Sequence, residues 1–92
     1  MVIKYLNTAL GDLESIAEYI SQDNPEAAKK VIKELKETIN LLLVMPDMGR
    51  TGRVFSTREL IKSHYIIPYR VIGMQIEILR VFDTSQKQPE SW

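Results

Sequence analysis

Apolar residues change their spacing several times along the chain, and each change predicts an element. "VIKYL", residues 2–6, is short, β-branched and aromatic, and Asn7 and Thr8 behind it favour turns and caps, so a first strand is expected. From Ala9 onward Leu13, Ile16, Ala17 and Ile20 follow one helical face while Asp12, Glu14 and Glu18 point elsewhere, the pattern of an amphipathic helix. A second helix is expected from Asn24 as N-cap, with Pro25 at the first helical position and Glu26 where it favours the dipole. Its apolar stripe runs through Ala28, Val31, Ile32, Leu35, Ile39, Leu42 and Leu43, with Lys29, Lys30, Lys33, Lys36 and Glu37 on the outer side. Pro46 is expected to stop it, because the ring disfavours helical geometry at Met45 and donates no hydrogen bond. The short connection makes the two helices a hairpin whose shared apolar stripe needs a sheet to cover.

The second half supplies that sheet. "VFSTRELI" near 54–61, "SHYIIPYRVI" near 63–72 and "QIEILRVF" near 75–82 alternate or run apolar at strand length. Gly73-Met74 suits a two-residue hairpin turn, and Pro68 predicts a bulge or an unpaired amide. A two-residue loop pairs Ile72 with Gln75 and sets Arg70 opposite Glu77. Tyr65, Ile67, Tyr69, Val71, Ile76, Ile78 and Phe82 then share the face beneath the helices, and Arg80 lies at the end of that face. A three-residue loop would set both arginines together but mix polar residues into both faces, so the first register is preferred. The element order is β-α-α-β-β-β, an α+β arrangement.

Length and composition narrow the class. Ninety-two residues suit one domain spanning 1–92, and 45% apolar with 26% charged residues is ordinary globular chemistry. Residues 84–92 are mostly polar and are expected as a flexible C-terminal tail, ending in Trp92 as either a loose terminus or a packed plug. The absence of cysteine points to a reducing compartment, the cytoplasm, and no apolar run approaches the roughly eighteen residues of a membrane span, so a soluble, unprocessed protein is expected. The net charge of zero hides an asymmetry: residues 1–48 carry 5 − 8 = −3, and residues 49–92 carry 7 − 4 = +3.

Five of those seven basic residues are arginines, the side chain suited to bidentate contact with phosphate or carboxylate. Arg50, Arg53 and Arg58 lie in "PDMGRTGRVFSTREL", where Gly49 and Gly52 are candidates for turning backbone amides toward an anion. The bland reading of Arg70 is a cross-strand partner of Glu77. His64 is the single histidine and fits a structural role better than a catalytic one, and without thiols a closed metal site is not expected, nor any cofactor. Neither a P-loop nor a dinucleotide fingerprint is present.

In order and spacing, "ALGDLESIAEYI", "NPEAA", "MPDMGRTGR", "TREL", "YIIPYRV" and "IEILRVFDTSQKQP" resemble the RelE/ParE toxins of bacterial type II toxin-antitoxin modules across nearly the whole chain. The resemblance implies a helical hairpin packed on one face of a small antiparallel sheet. It also implies a cognate antitoxin forming a hetero-oligomer with the toxin and laying an amphipathic helix or strand along it.

RelE-like members cut messenger RNA in the ribosomal A site, whereas ParE-like members poison DNA gyrase. For the nuclease branch, Arg70 and Arg80 match arginines with electrostatic roles, and Glu59, His64 or Asp83 would have to serve as base or acid. Similar sequences commonly read "VFHTSQKWP" where this chain has "VFDTSQKQP", so Asp83 and Gln88 depart from the pattern. "TREL" and "YRV" look more like the ParE side, which implies gyrase as target, with the ribosome and its message as the alternative and an inert complex-forming module as a third reading. Arg50, Arg53, Arg58, Arg70, Arg80 and Lys87 are the expected target contacts, and glutamine at the first three is expected to abolish arrest with the fold intact.

Overall fold

The computed structural model describes residues 1–85 and Trp92. Its elements are β1 (Val2–Tyr5), α1 (Asn7–Ser21), α2 (Pro25–Asn40), β2 (Arg50–Thr51), β3 (Arg58–Lys62), β4 (Tyr65–Ile72), β5 (Gln75–Ile78) and β6 (Phe82–Asp83). Helix α1 begins at Asn7 without a side-chain cap, and the Thr8 hydroxyl instead donates to the Leu79 carbonyl at 2.7 Å, fastening the first turn to the sheet. Helix α2 starts as its signals predict: Pro25 opens it and the Asn24 side chain accepts the Ala27 amide at 3.1 Å. It ends at Asn40, well before Pro46, by tightening into a 3₁₀ turn over Leu41–Leu43 that buries Leu42 and leaves its two neighbours exposed. Three consecutive leucines cannot all face one core.

The sheet order is β1-β5-β4-β3-β2, with β6 returning to pair with β4. Every pairing is antiparallel except that of β1, which runs parallel to β5, so the sheet is mixed. Alternation in "VIKYL" specifies a strand but carries no information about its direction. The hairpin register is the two-residue one, with Ile72 opposite Gln75, Arg70 opposite Glu77, and Gly73 at φ 58°, a backbone that a side chain would strain. The helices cover one sheet face, where Ala9, Leu13, Leu35, Ile39 and Leu42 meet Leu60, Tyr65, Ile67, Tyr69, Ile76, Ile78 and Val81. No helix among the described residues is long and apolar enough to cross a membrane.

Pro68 is fully buried in the central strand β4, opposite Glu59. On its other side Tyr69 pairs with Ile78 and Ile66 with Phe82, so two residues of β4 face three, Leu79, Arg80 and Val81: a bulge placed where proline has no amide to give. The ladder keeps one bond there, Leu79 N–H to the Pro68 carbonyl at 2.9 Å. An extra residue inverts the alternation beyond it. Phe82, expected beneath the helices, is therefore replaced there by Val81 and stacks instead on Trp92, ring centroids 5.3 Å apart.

"VFSTRELI" becomes strand only from Arg58, because Val54 to Thr57 form a turn in which the Thr57 amide donates to the Val54 carbonyl at 3.2 Å. At the far end, Trp92 is packed rather than loose: its indole N–H reaches the Thr57 hydroxyl at 3.4 Å. Of the rest of the expected tail, the Thr84 amide donates to the His64 carbonyl at 2.8 Å, and residues 86–91, with Lys87 and Gln88, lie outside the described residues.

Tyr69, fully buried, fixes the segment joining helices to sheet: its hydroxyl donates to the Pro46 carbonyl at 2.7 Å and accepts the Gly49 amide at 3.0 Å, and burial raises its pKa above the ordinary phenol value. Tyr69→Phe leaves a buried amide and a carbonyl without partners, so chemical denaturation should show a loss of about 1–3 kcal/mol with the core otherwise unchanged.

Candidate functional site

Glu59 organises the basic loop. It lies on β3 facing Pro68 and β2, is only 1% exposed, and uses both carboxylate oxygens. One accepts Arg50 Nη2 at 3.0 Å and Nε at 3.2 Å; the other accepts the Arg53 backbone amide at 3.1 Å, with Arg53 Nε at 3.8 Å. Arg53 also stacks its guanidinium over Trp92, 5.2 Å from the ring centroid. Arg58 turns elsewhere, donating to the carbonyls of Gly49 at 2.9 Å and Asp47 at 3.2 Å. The guanidiniums of Arg50 and Arg53 thus satisfy a buried acid from one side while more than half of each side chain faces solvent.

The glycines do not form the anion cradle that their freedom suggested. The Gly49 amide is spent on Tyr69, the Gly52 amide donates to the Thr57 carbonyl at 2.8 Å, and neither residue has a positive φ. Gly52 is needed because a Cβ would collide with Thr57.

On the sheet face away from the helices, Lys4, Glu77 and Arg70 form a row across β1, β5 and β4, with Arg70 Nε 2.7 Å from Glu77 Oε1. That is the bland reading of Arg70, although its side chain remains 44% exposed. Arg80 is held more firmly. Asp12 on α1 accepts Arg80 Nε at 2.7 Å and Nη2 at 3.0 Å, and also the Val81 amide at 2.9 Å. One carboxylate therefore clamps both the guanidinium and the bulge, and the hydrogen bonds raise the arginine's pKa further. The Arg80 side chain keeps 28% exposure. Asp12 lies off the apolar face in the helical spacing, and no local signal marks its role, since its partner lies in the bulge between β5 and β6 near the other end of the chain.

The remaining acid and base candidates are scattered. His64 sits in the turn between β3 and β4, ring against Tyr65 at 4.2 Å, with Nε2 3.7 Å from Asp83 Oδ2. Asp83 accepts the Ser85 amide at 2.9 Å and hydroxyl at 2.8 Å, which, with a smaller contribution from His64, holds its carboxyl below the usual range. A carboxylate so held is a poor proton donor at neutral pH. Its small stabilisation is present above the ordinary carboxylate pKa and fades as pH falls through the lowered value. Along β4, five residue steps from Tyr65, beside Asp83, to Arg70 span roughly 17 Å. Glu59 is enclosed and committed to arginine, and His64 with Asp83 lies about a strand's length from Arg70.

A second feature lies on the outer side of the helical hairpin. Ala17, Pro25, Ala28 and Ile32 floor a shallow groove between α1 and α2, with Glu14 and Glu18 along one rim and Lys29, Lys33, Lys36 and Glu37 along the other, where Lys33 pairs with Glu37 and Lys29 with Glu26.

The arrangement changes the expected consequence of neutralising the loop. Glutamine at Arg50 and Arg53 leaves the Glu59 carboxylate buried without its countercharges, so urea unfolding should show a loss of about 3 kcal/mol. Adding Glu59→Gln should recover more than half of it. Equal stability of the double variant and the parent would mean that Glu59 does not depend on these arginines.

Comparison with known proteins agrees with this geometry. The family model described as ParE toxin of type II toxin-antitoxin system, parDE, matches residues 3–88. Y4kP of Sinorhizobium fredii is 40% identical over 90 residues, covering 96% of this chain and 93% of that protein. Toxin RelE2 of Caulobacter vibrioides is 32% identical over 73 residues, covering 79% and 83%. Among solved structures, the chromosomal ParDE toxin-antitoxin system from P. aeruginosa superposes with a TM-score of 0.79 at 30% identity, covering 88% of this chain and 92% of that one. The toxin-antitoxin complex RelBE2 from Mycobacterium tuberculosis shares the fold, with a TM-score of 0.61 at 21% identity over 87% and 93% of the two chains. With the matched model spanning nearly all of the sequence and the helical hairpin seated on the mixed sheet, the chain belongs to the RelE/ParE family of type II toxin-antitoxin toxins.

Proposed function

We propose that this toxin arrests growth by binding a protein target, DNA gyrase, rather than by cutting RNA, and that a cognate antitoxin neutralises it. The observation that carries the reading is how the acid-base candidates are engaged: Glu59 is enclosed by arginine, Arg80 is clamped by Asp12, and His64 with Asp83 lies a strand's length from Arg70. Metal-free RNA cleavage needs a base, an acid and cations around one phosphate. A binding surface needs only exposed groups in fixed positions, and Arg50, Arg53, Arg58 and Arg70 supply them at the β2 edge and the outer sheet face. The match to the ParE model supports the same side.

The ribosome-dependent nuclease remains the second reading, favoured by the 32% identity to Toxin RelE2 and by the outer-face row Lys4, Glu77 and Arg70, on which a phosphate could rest. For the antitoxin, the relatives solved as toxin-antitoxin assemblies support a partner here. The α1–α2 groove offers it an apolar floor with an acidic α1 rim and an α2 rim of three lysines and Glu37, suited to an amphipathic helix with acids facing α2 and bases facing α1.

Purified toxin added to gyrase and relaxed plasmid should inhibit supercoiling, while programmed ribosomes should keep their message intact. A-site cuts with gyrase unaffected would assign the nuclease instead, and no effect on growth or on either machine would leave an inert complex-forming module. Charge reversal at the exposed groove rim, Lys33→Glu with Lys36→Glu, should weaken antitoxin capture about tenfold in a titration while growth arrest persists.

A further inference from the structure

The loop joining β2 to β3 carries an apolar side chain where the fold has no use for one. Phe55 is 94% exposed, more than any other large apolar side chain among the described residues. The loop beneath it is held rather than loose. The Gly52 amide donates to the Thr57 carbonyl, the Thr57 amide and hydroxyl both reach the Val54 carbonyl, the Arg53 amide is tied to buried Glu59, and Trp92 meets Thr57 from below. Ser56, next to the phenylalanine, takes φ 67°, a left-handed conformation uncommon for a residue with a side chain. The backbone is thus turned so that the ring stands out at the tip, and little conformational freedom remains to be lost on binding.

We infer that Phe55 is an anchor that inserts into an apolar pocket on a protein partner whose rim carries carboxylates, an inference that rests on the proposed target-binding role of this loop. Charge fixes the rim. Arg53 and Arg58 line the loop with Phe55, and Arg50 lies on the adjoining strand β2; all three are exposed while Glu59, which Arg50 and Arg53 share, is buried, so the exposed charge of residues 50–58 is positive. Aromatic anchors ringed by arginine are the composition of interface hot spots. A single-stranded nucleic acid is the less suitable occupant. Proteins that track a phosphate backbone offer a continuous row of uncommitted cations and a basic overall charge. Here the exposed arginines are confined to residues 50–58 around one loop rather than drawn out in a row, and the chain is neutral overall.

The test compares wild type, Phe55→Ser and Phe55→Trp, each induced in cells lacking antitoxin and each titrated as purified protein with a fluorescent oligothymidine. Because Phe55 is exposed, all three should unfold at the same urea midpoint. Phe55→Ser should need about tenfold more protein to arrest growth, Phe55→Trp should arrest as wild type does, and none should bind the oligonucleotide. If wild type arrests growth and Phe55→Ser arrests it equally, the anchor is refuted while the target-binding reading stands. Oligonucleotide binding by wild type that Phe55→Ser loses would reassign the tip to base stacking. Absence of arrest by wild type itself overturns both together.

Discussion

A carboxylate enclosed by protein must be met by donors, and Glu59 is the group whose satisfaction shapes the functional end of this molecule. It lies where β3 faces Pro68, a residue with no amide to offer, and it draws Arg50 from β2, the Arg53 amide from the loop and the Arg53 guanidinium from above. Enclosing an acid in this way adds little to stability by itself, but removing its partners is costly. The orientation of two arginines and the anchoring of the loop at the Arg53 amide follow from that requirement.

The same contact explains why these arginines serve two ends. A guanidinium has five donors in a plane, and Glu59 engages only one side of each fork. More than half of each side chain is exposed, its direction fixed by the buried acid and, for Arg53, also by Trp92. Such groups are pre-positioned for a protein surface but carry reduced net charge, which suits specificity and encounter more than tight capture of a polyanion.

Pro68 makes a second constraint that reaches across the sheet. Its missing amide is matched by a bulge, the bulge aims Arg80 toward α1, and Asp12 closes both the arginine and the free Val81 amide. The helical hairpin is thereby tied to the sheet by a polar clamp as well as by the apolar core. Arg80 becomes part of the framework, and the cationic surface shifts to the β2 edge and the row through Arg70.

The two helices, the Asn24-Pro25 start, the Gly73 turn, the Arg70–Glu77 pairing and a disturbance at Pro68 were legible in the chain, because each rests on residues close together in sequence and on periods that a single segment displays. Family resemblance added the fold and the toxin class. Tertiary structure alone decided the direction of β1, the early end of α2, the inversion that exchanges Phe82 for Val81, and the burial of Glu59. It also turned Asp12 into the partner of Arg80, 68 residues away. Burial and long-range pairing depend on which segments meet in space, and a local pattern of polar and apolar residues records how a segment folds but not what it will face.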